Sequence, residues 1–160
     1  MKNNVFTIYF ALTFFMMPFI SMSQFNGGNG TINNPYIIST IEDLNNIRNY
    51  PDAHYLQSND IMIDESEFDE SGKLYNDGLF WEPIGSYDNH FIGTFNGNGF
   101  VIKGLKINRA DDDYIGLFGI ISSTSVLDNI ILEQAEVNGK QFVGILAGYN
   151  IGGTITNCFA

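Results

Sequence analysis

The chain has one cysteine, Cys158, so no disulfide can form within it and its fold has to rest on packing alone. Basic side chains are scarce, with seven Lys and Arg against eighteen Asp and Glu, a net charge of −11. An acidic chain with no basic cluster repels phosphate backbones and anionic lipid, which excludes nucleic acid as a partner. There are two histidines, His54 and His90, and both lie far before Cys158 in the sequence. Nothing therefore marks the thiol as a nucleophile activated by a neighbouring base, and a packed core thiol is the simpler reading. There is one long hydrophobic run, at the N-terminus, so no later segment reads as a membrane-spanning helix.

What the chain does have is a recurring pattern. The stretch from Phe91 to Gly119 opens with Gly93, Gly97 and Gly99, separated by Asn96 and Asn98. Glycine and asparagine reach positive φ at low cost, so this segment turns tightly. Ile102-x-x-Leu105-x-Ile107 follows and then Gly116-Leu117-Phe118-Gly119. The first motif recurs as Leu127-x-x-Ile130-x-Leu132 and as Ile155-x-x-Cys158-x-Ala160, at offsets of 25 and 28 residues. The second recurs as Gly144-Ile145-Leu146-Ala147-Gly148. Short runs of Ile, Val and Phe bounded by Gly, Asn and Ser read as strands. A period of this length reads as a stack of repeats, none of which can bury its own face. The spacing predicts an interior column of Ile102, Leu127 and Ile155, with Leu105, Ile130 and Cys158 beside it.

Gly116-Leu117-Phe118-Gly119, then Gly144–Gly148 followed by Gly152-Gly153-Thr154-Ile155-Thr156-Asn157-Cys158, resembles the GLUG repeat of bacterial exported and surface proteins. That repeat also occurs in non-catalytic parts of IgA-protease-like proteins. Asn34–Thr40 resembles the lead segment of that family and Tyr55–Ile61 its first strand. Trp81-x-Pro83-Ile84-Gly85 stands where the family places it, before the Phe91 stretch. Ile145 departs from the pattern, where a second glycine is more usual. The resemblance covers nearly all of the chain after its leader. It implies an all-β fold, a right-handed parallel β-helix (β-solenoid), here with a short N-terminal capping helix.

Residues 1–23 read as a secretory signal peptide. Lys2 supplies the positive start, 5–20 are almost entirely apolar, and Ser21-Met22-Ser23 offers small residues for cleavage. The alternative, a retained anchor, is disfavoured by the polar, glycine-rich flank, and no lipobox cysteine follows. Without Lys2 the balance is six basic against eighteen acidic side chains, a charge of −12. Residues 24–52 form a lead-in and capping helix. Thr40 is the N-cap, Glu42 and Asp43 lie in the first turn, Ile41, Leu44 and Ile47 form one face, and Pro51 stops the helix. Residues 53–160 are expected to be solenoid coils. The third repeat copy stops at Ala160 with no cap in view, so we expect further coils or domains of a longer chain, or self-association through that end.

Between Asp64 and Gly78 lie six acids and no apolar period, which predicts an exposed loop within a coil. Clustered carboxylates in 64–77 could hold Ca²⁺, but their spacing matches no EF-hand loop. Asp111-Asp112-Asp113 reads as a solvated turn. Glu67 and Asp69 could serve as an acid/base pair only if burial tuned one of them, and a polar loop gives no such burial. Trp81, Tyr87 and Phe91 are candidate sugar-stacking rings, although core packing is the plainer reading. No catalytic, cofactor-binding or metal-binding residue is assigned, and no cofactor is expected. The functional expectation is a non-catalytic secreted or cell-surface module for adhesion, display or spacing. Its partner would be a protein or glycan at a cell surface. The alternative is the non-catalytic or substrate-binding part of a larger extracellular protease or polysaccharide-degrading enzyme.

Overall fold

A computed structural model describes residues 24–160. The segment read as a signal peptide, 1–23, lies outside the described residues.

The lead-in carries β1 (Tyr36–Ile38), then α1 (Ile41–Asn46), which continues into a 3₁₀ turn at Ile47–Asn49. Strands β2 (His54–Gln57) and β3 (Ile61–Met62) follow. After a long irregular segment come β4 (Thr94–Asn96), β5 (Val101–Lys103), β6 (Lys106–Ile115) and β7 (Phe118–Ile121). The last strands are β8 (Val126–Asp128), β9 (Ile131–Glu133), β10 (Glu136–Val143), β11 (Ala147–Asn150) and β12 (Thr154–Thr156). Among the described residues the protein is therefore mostly β with one short α-helix. Its sheets are β1-β2-β4-β8-β12, β3-β5-β9, β6-β10 and β7-β11, and every strand pair is parallel. Strands β4 to β7 each enter a different sheet, and β8 to β11 enter the same four in the same order.

The short strands follow from what ends them. Asn129 and Asn157 have φ of 52° and stand directly after β8 and β12. Left-handed backbone ends a strand, and among side-chain-bearing residues asparagine accepts it readily. Parallel register places like side chains above one another. Tyr36, Tyr55, Phe95, Leu127 and Ile155 form one row, and Ile61, Ile102 and Leu132 form another.

This register corrects the predicted column. Leu127 and Ile155 do pair, but Ile102 belongs to the second row, thirty residues before its partner Leu132. The same apolar spacing recurs on two different sheets, so matching it from one copy to the next moved the first copy to the wrong face. The burial expectation holds for Ile102, Leu105, Leu127 and Ile130, all fully buried. It fails for Ile155, which is 40% exposed because β12 is the outermost strand of its sheet.

Thr40 caps α1 as the sequence predicts. Its side chain accepts from the Asp43 backbone N–H, and Asp43 Oδ2 accepts in return from the Thr40 N–H at 3.0 Å. Asp43 is buried, and the same oxygen also takes the Ser39 N–H and the Asn26 amide, tying the lead-in to the helix. Leu44 and Ile47 point into the core. Beside them Phe25 stacks on Tyr36 at 4.3 Å and meets Tyr50 and Tyr55 edge-on. The sequence pattern did not signal this aromatic plug.

Two further expectations change. The segment 64–78 is not a free loop. It folds into 3₁₀ turns at Glu65–Phe68 and Asn76–Gly78, and Phe68 and Leu74 are buried. Phe68 packs edge-on against Phe80 at 5.2 Å, anchoring a segment whose acids face solvent. The residues 111–113 are not a turn but lie within β6, at an irregularity where 110–112 stand opposite the single residue Lys140 of β10 before pairing resumes at Asp113.

The last strand is fastened by one carboxylate. Asp128 Oδ1 accepts from the Thr156 hydroxyl at 2.8 Å and from the Asn157 amide at 2.9 Å. These bonds hold its pKa below the ordinary value of about 3.9. A lowered folded-state pKa contributes stability that is complete above the unfolded value and lost as pH falls through the folded one. We expect a carboxyl-carbon NMR titration of Asp128 to have its midpoint below the model-peptide value, with the Asn157 side-chain amide shifting at the same pH. A midpoint at or above that value would contradict the fastening.

Candidate binding groove

The acids and the thiol singled out in the sequence do not converge. Cys158 is half-buried, and its thiol donates to the Thr156 and Leu127 carbonyls rather than to a histidine. Burial pushes its pKa up, away from thiolate. His54 Nδ1 lies 2.8 Å from the Thr94 hydroxyl. Glu67 Oε2 accepts from the Lys73 N–H, and Asp64 caps its own turn through Ser66. Glu65 pairs with Lys106 at 2.5 Å and holds that ammonium above its usual pKa. Among the described residues no group of three or more His, Cys, Asp or Glu side chains is arranged to hold a metal ion.

Of the three candidate rings, two are core. Trp81 and Phe91 are fully buried. The Trp81 indole N–H donates to the Leu117 carbonyl at 3.2 Å, and the Arg48 guanidinium lies 5.1 Å above its ring. Burial lowers the Arg48 pKa, and its ion pair with Glu82 at 3.0 Å works against that shift. Tyr87 is the exception, 71% exposed at the tip of the turn Ser86–Asn89. That turn is closed by the Ser86 N–H to the Asn89 carbonyl at 2.9 Å and by the reverse bond at 3.3 Å.

Tyr87 is not isolated. Its ring lies 6.2 Å from Tyr114, which stacks on Phe142 at 5.0 Å with the planes 5° apart. Tyr149 meets both of these rings edge-on. Tyr114 and Phe142 occupy equivalent positions in β6 and β10, since their flanking residues pair in register. Both have positive φ, 64° and 54°. A bulky side chain in that region is strained, so two in register mark a specific arrangement. The sequence carried the signal as Tyr114-Ile115-Gly116 and Phe142-Val143-Gly144, aromatic, β-branched, glycine, at a spacing of 28. The apolar-row reading passed over it.

An open groove of about 310 Å³ runs between the Glu82–Tyr87 segment and the end of β6. Tyr87 and Tyr114 are its aromatic lining. Arg109 is largely buried at its side, donating to the Trp81 carbonyl at 3.0 Å and to Asp112 at 3.1 Å. Asp113 is exposed beside them. The groove thus combines ring surface, two carboxylates held in ion pairs, Glu82 and Asp112, and a free one, Asp113.

No family model matches the chain. A protein of Evansella cellulosilytica, provisionally named a Gly-rich membrane protein, is 42% identical over 133 residues. The match takes in 81% of this chain and 15% of that protein. Halomucin of Haloquadratum walsbyi is 39% identical over 136 residues, 81% of this chain and 1% of its own length. The chain thus spans a small part of each of these relatives. Among solved structures, a Bacteroides ovatus protein provisionally described as an immunoglobulin A1 protease superposes with a TM-score of 0.63. That superposition covers 84% of this chain and 40% of the other, at 24% identity, a likeness of fold alone.

Proposed function

We propose that the chain is an exported, non-catalytic β-solenoid module of the GLUG-repeat kind, a right-handed parallel β-helix that serves at the cell surface in adhesion or display. The observation that carries this reading is the repeated order of the sheets, in which successive sets of strands enter the same four sheets in parallel register. Such stacking gives a stiff body with side chains displayed at regular intervals. The relatives named as a membrane protein and a halomucin support a surface location. A second reading is favoured by the B. ovatus structure, in which the shared fold is 40% of a larger chain. There the module is the non-catalytic or substrate-binding part of an extracellular hydrolase.

Export is tested by the mass of secreted or surface-released material, which should begin at or near Gln24. An intact Met1 would refute it. The absence of chemistry is tested by screening the purified chain against peptides and common polysaccharides. Turnover abolished by Glu67→Gln or Asp69→Asn would overturn it.

The outer layer is the surface where another layer stacks, from the same chain or a second copy. Ile151, Ile155 and Phe159 are exposed there, and β12 has one unpaired edge. Light scattering at micromolar concentration should show association, reversed by replacing Thr156 and Phe159 with Lys. A monomer unchanged by those substitutions would contradict it.

A further inference from the structure

We infer that the groove between Tyr87 and Tyr114 is a binding site for a neutral polysaccharide segment. The inference rests on the module being an exported binding body, and it adds the ligand class and the residues that meet it.

Tyr87 contributes little to folding. It is 71% exposed, and the doubly hydrogen-bonded turn beneath it fixes the backbone that carries it. A ring presented to water from a fixed backbone has only its side-chain rotation to order on binding, a small cost for the area it offers. Tyr114 forms the second ring surface, tilted 34° from the first, so the two rings form an open angle rather than a closed stack. Its position is specified by the left-handed backbone and by the stack on Phe142.

The polar lining selects the ligand. The apolar C–H face of a sugar ring suits an aromatic wall, and its hydroxyls need acceptors and donors beside that wall. Asp113 supplies acceptors and has no hydrogen-bond or ionic partner among the described residues. Asp112 and Arg109, paired at 3.1 Å, both line the same groove. Charge excludes uronates, sulfated sugars and sialylated glycans, because Arg109 is already neutralised and Asp113 is not. A cationic peptide would meet one unpaired carboxylate, Asp113, because Glu82 and Asp112 are both held in ion pairs. The groove volume, about 310 Å³, lies at the small end of ligand sites, which suits a short segment of a longer glycan.

The test is affinity electrophoresis of the full exported chain through gels containing dextran, mannan or mixed-linkage β-glucan, with hyaluronan and alginate as anionic controls. At least one neutral polymer should retard the chain, and the anionic ones should not. Tyr87→Ala should weaken that retardation about tenfold while the thermal midpoint stays unchanged, since the ring is outside the core. Asp113→Asn, which keeps the shape and removes the charge, should retain most of the binding. The inference is overturned if no neutral polymer retards the chain or if Tyr87→Ala binds as well as the parent. Capture by polylysine in preference to every glycan would also overturn it. Failure here leaves the export result standing, whereas an intact Met1 in released material would remove the reading on which the inference rests, so the two failures are told apart.

Discussion

Leu105→Ala should lower the stability of the folded chain by about 2–5 kcal/mol, and Ile130→Ala by a similar amount. Both side chains are fully buried in the single cluster that runs through all the sheets. Leu105 lies between β5 and β6, and Ile130 between β8 and β9, where the chain passes from one sheet to the next. The main chain at Leu105 is fixed, its carbonyl accepting the Glu136 N–H at 2.8 Å, so the site cannot collapse onto the missing methyl groups. Truncation therefore loses both the transfer term and a cavity term. Urea denaturation midpoints give the measurement. Ile155→Ala is the control, an aliphatic side chain of the same repeat pattern that pairs with Leu127 in its strand row but is 40% exposed. A loss at Ile155 equal to that at Leu105 would mean that the outer layer is covered in solution. A loss below about 1 kcal/mol at both Leu105 and Ile130 would mean that the core is not packed as described.

Gly119→Ala should be worse per atom added. A Cβ at Gly119 would stand 2.3 Å from the Gly85 carbonyl oxygen and 2.9 Å from that of Tyr114. Both obstacles are backbone, held by the hydrogen bonds from Gly119 N to Ile84 O at 2.8 Å and from Ile120 N to Gly85 O at 3.1 Å. A flexible side chain could move aside, but here β7 would have to part from the Ile84–Gly85 segment bridged to it. Overpacking costs about 1–3 kcal/mol when side chains can adjust, so a backbone obstacle should reach or exceed the upper figure. Gly148→Ala faces the same problem against the Phe142 oxygen and the Ile115 nitrogen, each at 2.6 Å. Gly99→Ala meets nothing within 4 Å and serves as the comparison, carrying only the cost of its positive φ of 77°. The expected order by thermal midpoint is parent, Gly99→Ala, then Gly119→Ala. A Gly119→Ala protein as stable as the parent would mean that the layers are not in close contact.

These two predictions show what was legible in the sequence. The glycine-bracketed motif aligned correctly, because Gly119 and Gly148 are required by close backbone approach and only one register satisfies it. The apolar motif aligned wrongly at its first copy, because each sheet contributes its own inward hydrophobic side chain. Ile102 and Leu127 are both fully buried, and nothing in an apolar spacing says which sheet a residue belongs to. Extra residues in two places, at Gly97-Asn98-Gly99 and at 110–112 in β6, lengthened one layer, so Phe95 and Leu127 pair across 32 residues while Leu127 and Ile155 pair across 28. The capping helix was legible to its N-cap, since that signal is local. The groove was only partly legible. Tyr87 was named among candidate rings, but its partners Tyr114 and Phe142 owe their placement to left-handed backbone that the hydrophobic pattern does not encode. The buried Phe68 and Leu74 were obscured by the acids around them.

The recurrence of the sheet order has a mechanical consequence. The hydrogen bonds that join one set of strands to the next all cross between layers, so tension along the stack is carried by every layer in series and the weakest opens first. Between β12 and β8 the connection consists of three residue pairs and the contacts of Asp128. Each layer released would pay out roughly 30 residues, about 100 Å of chain. We expect a single-molecule pulling trace to lengthen in steps of about that size rather than in one release.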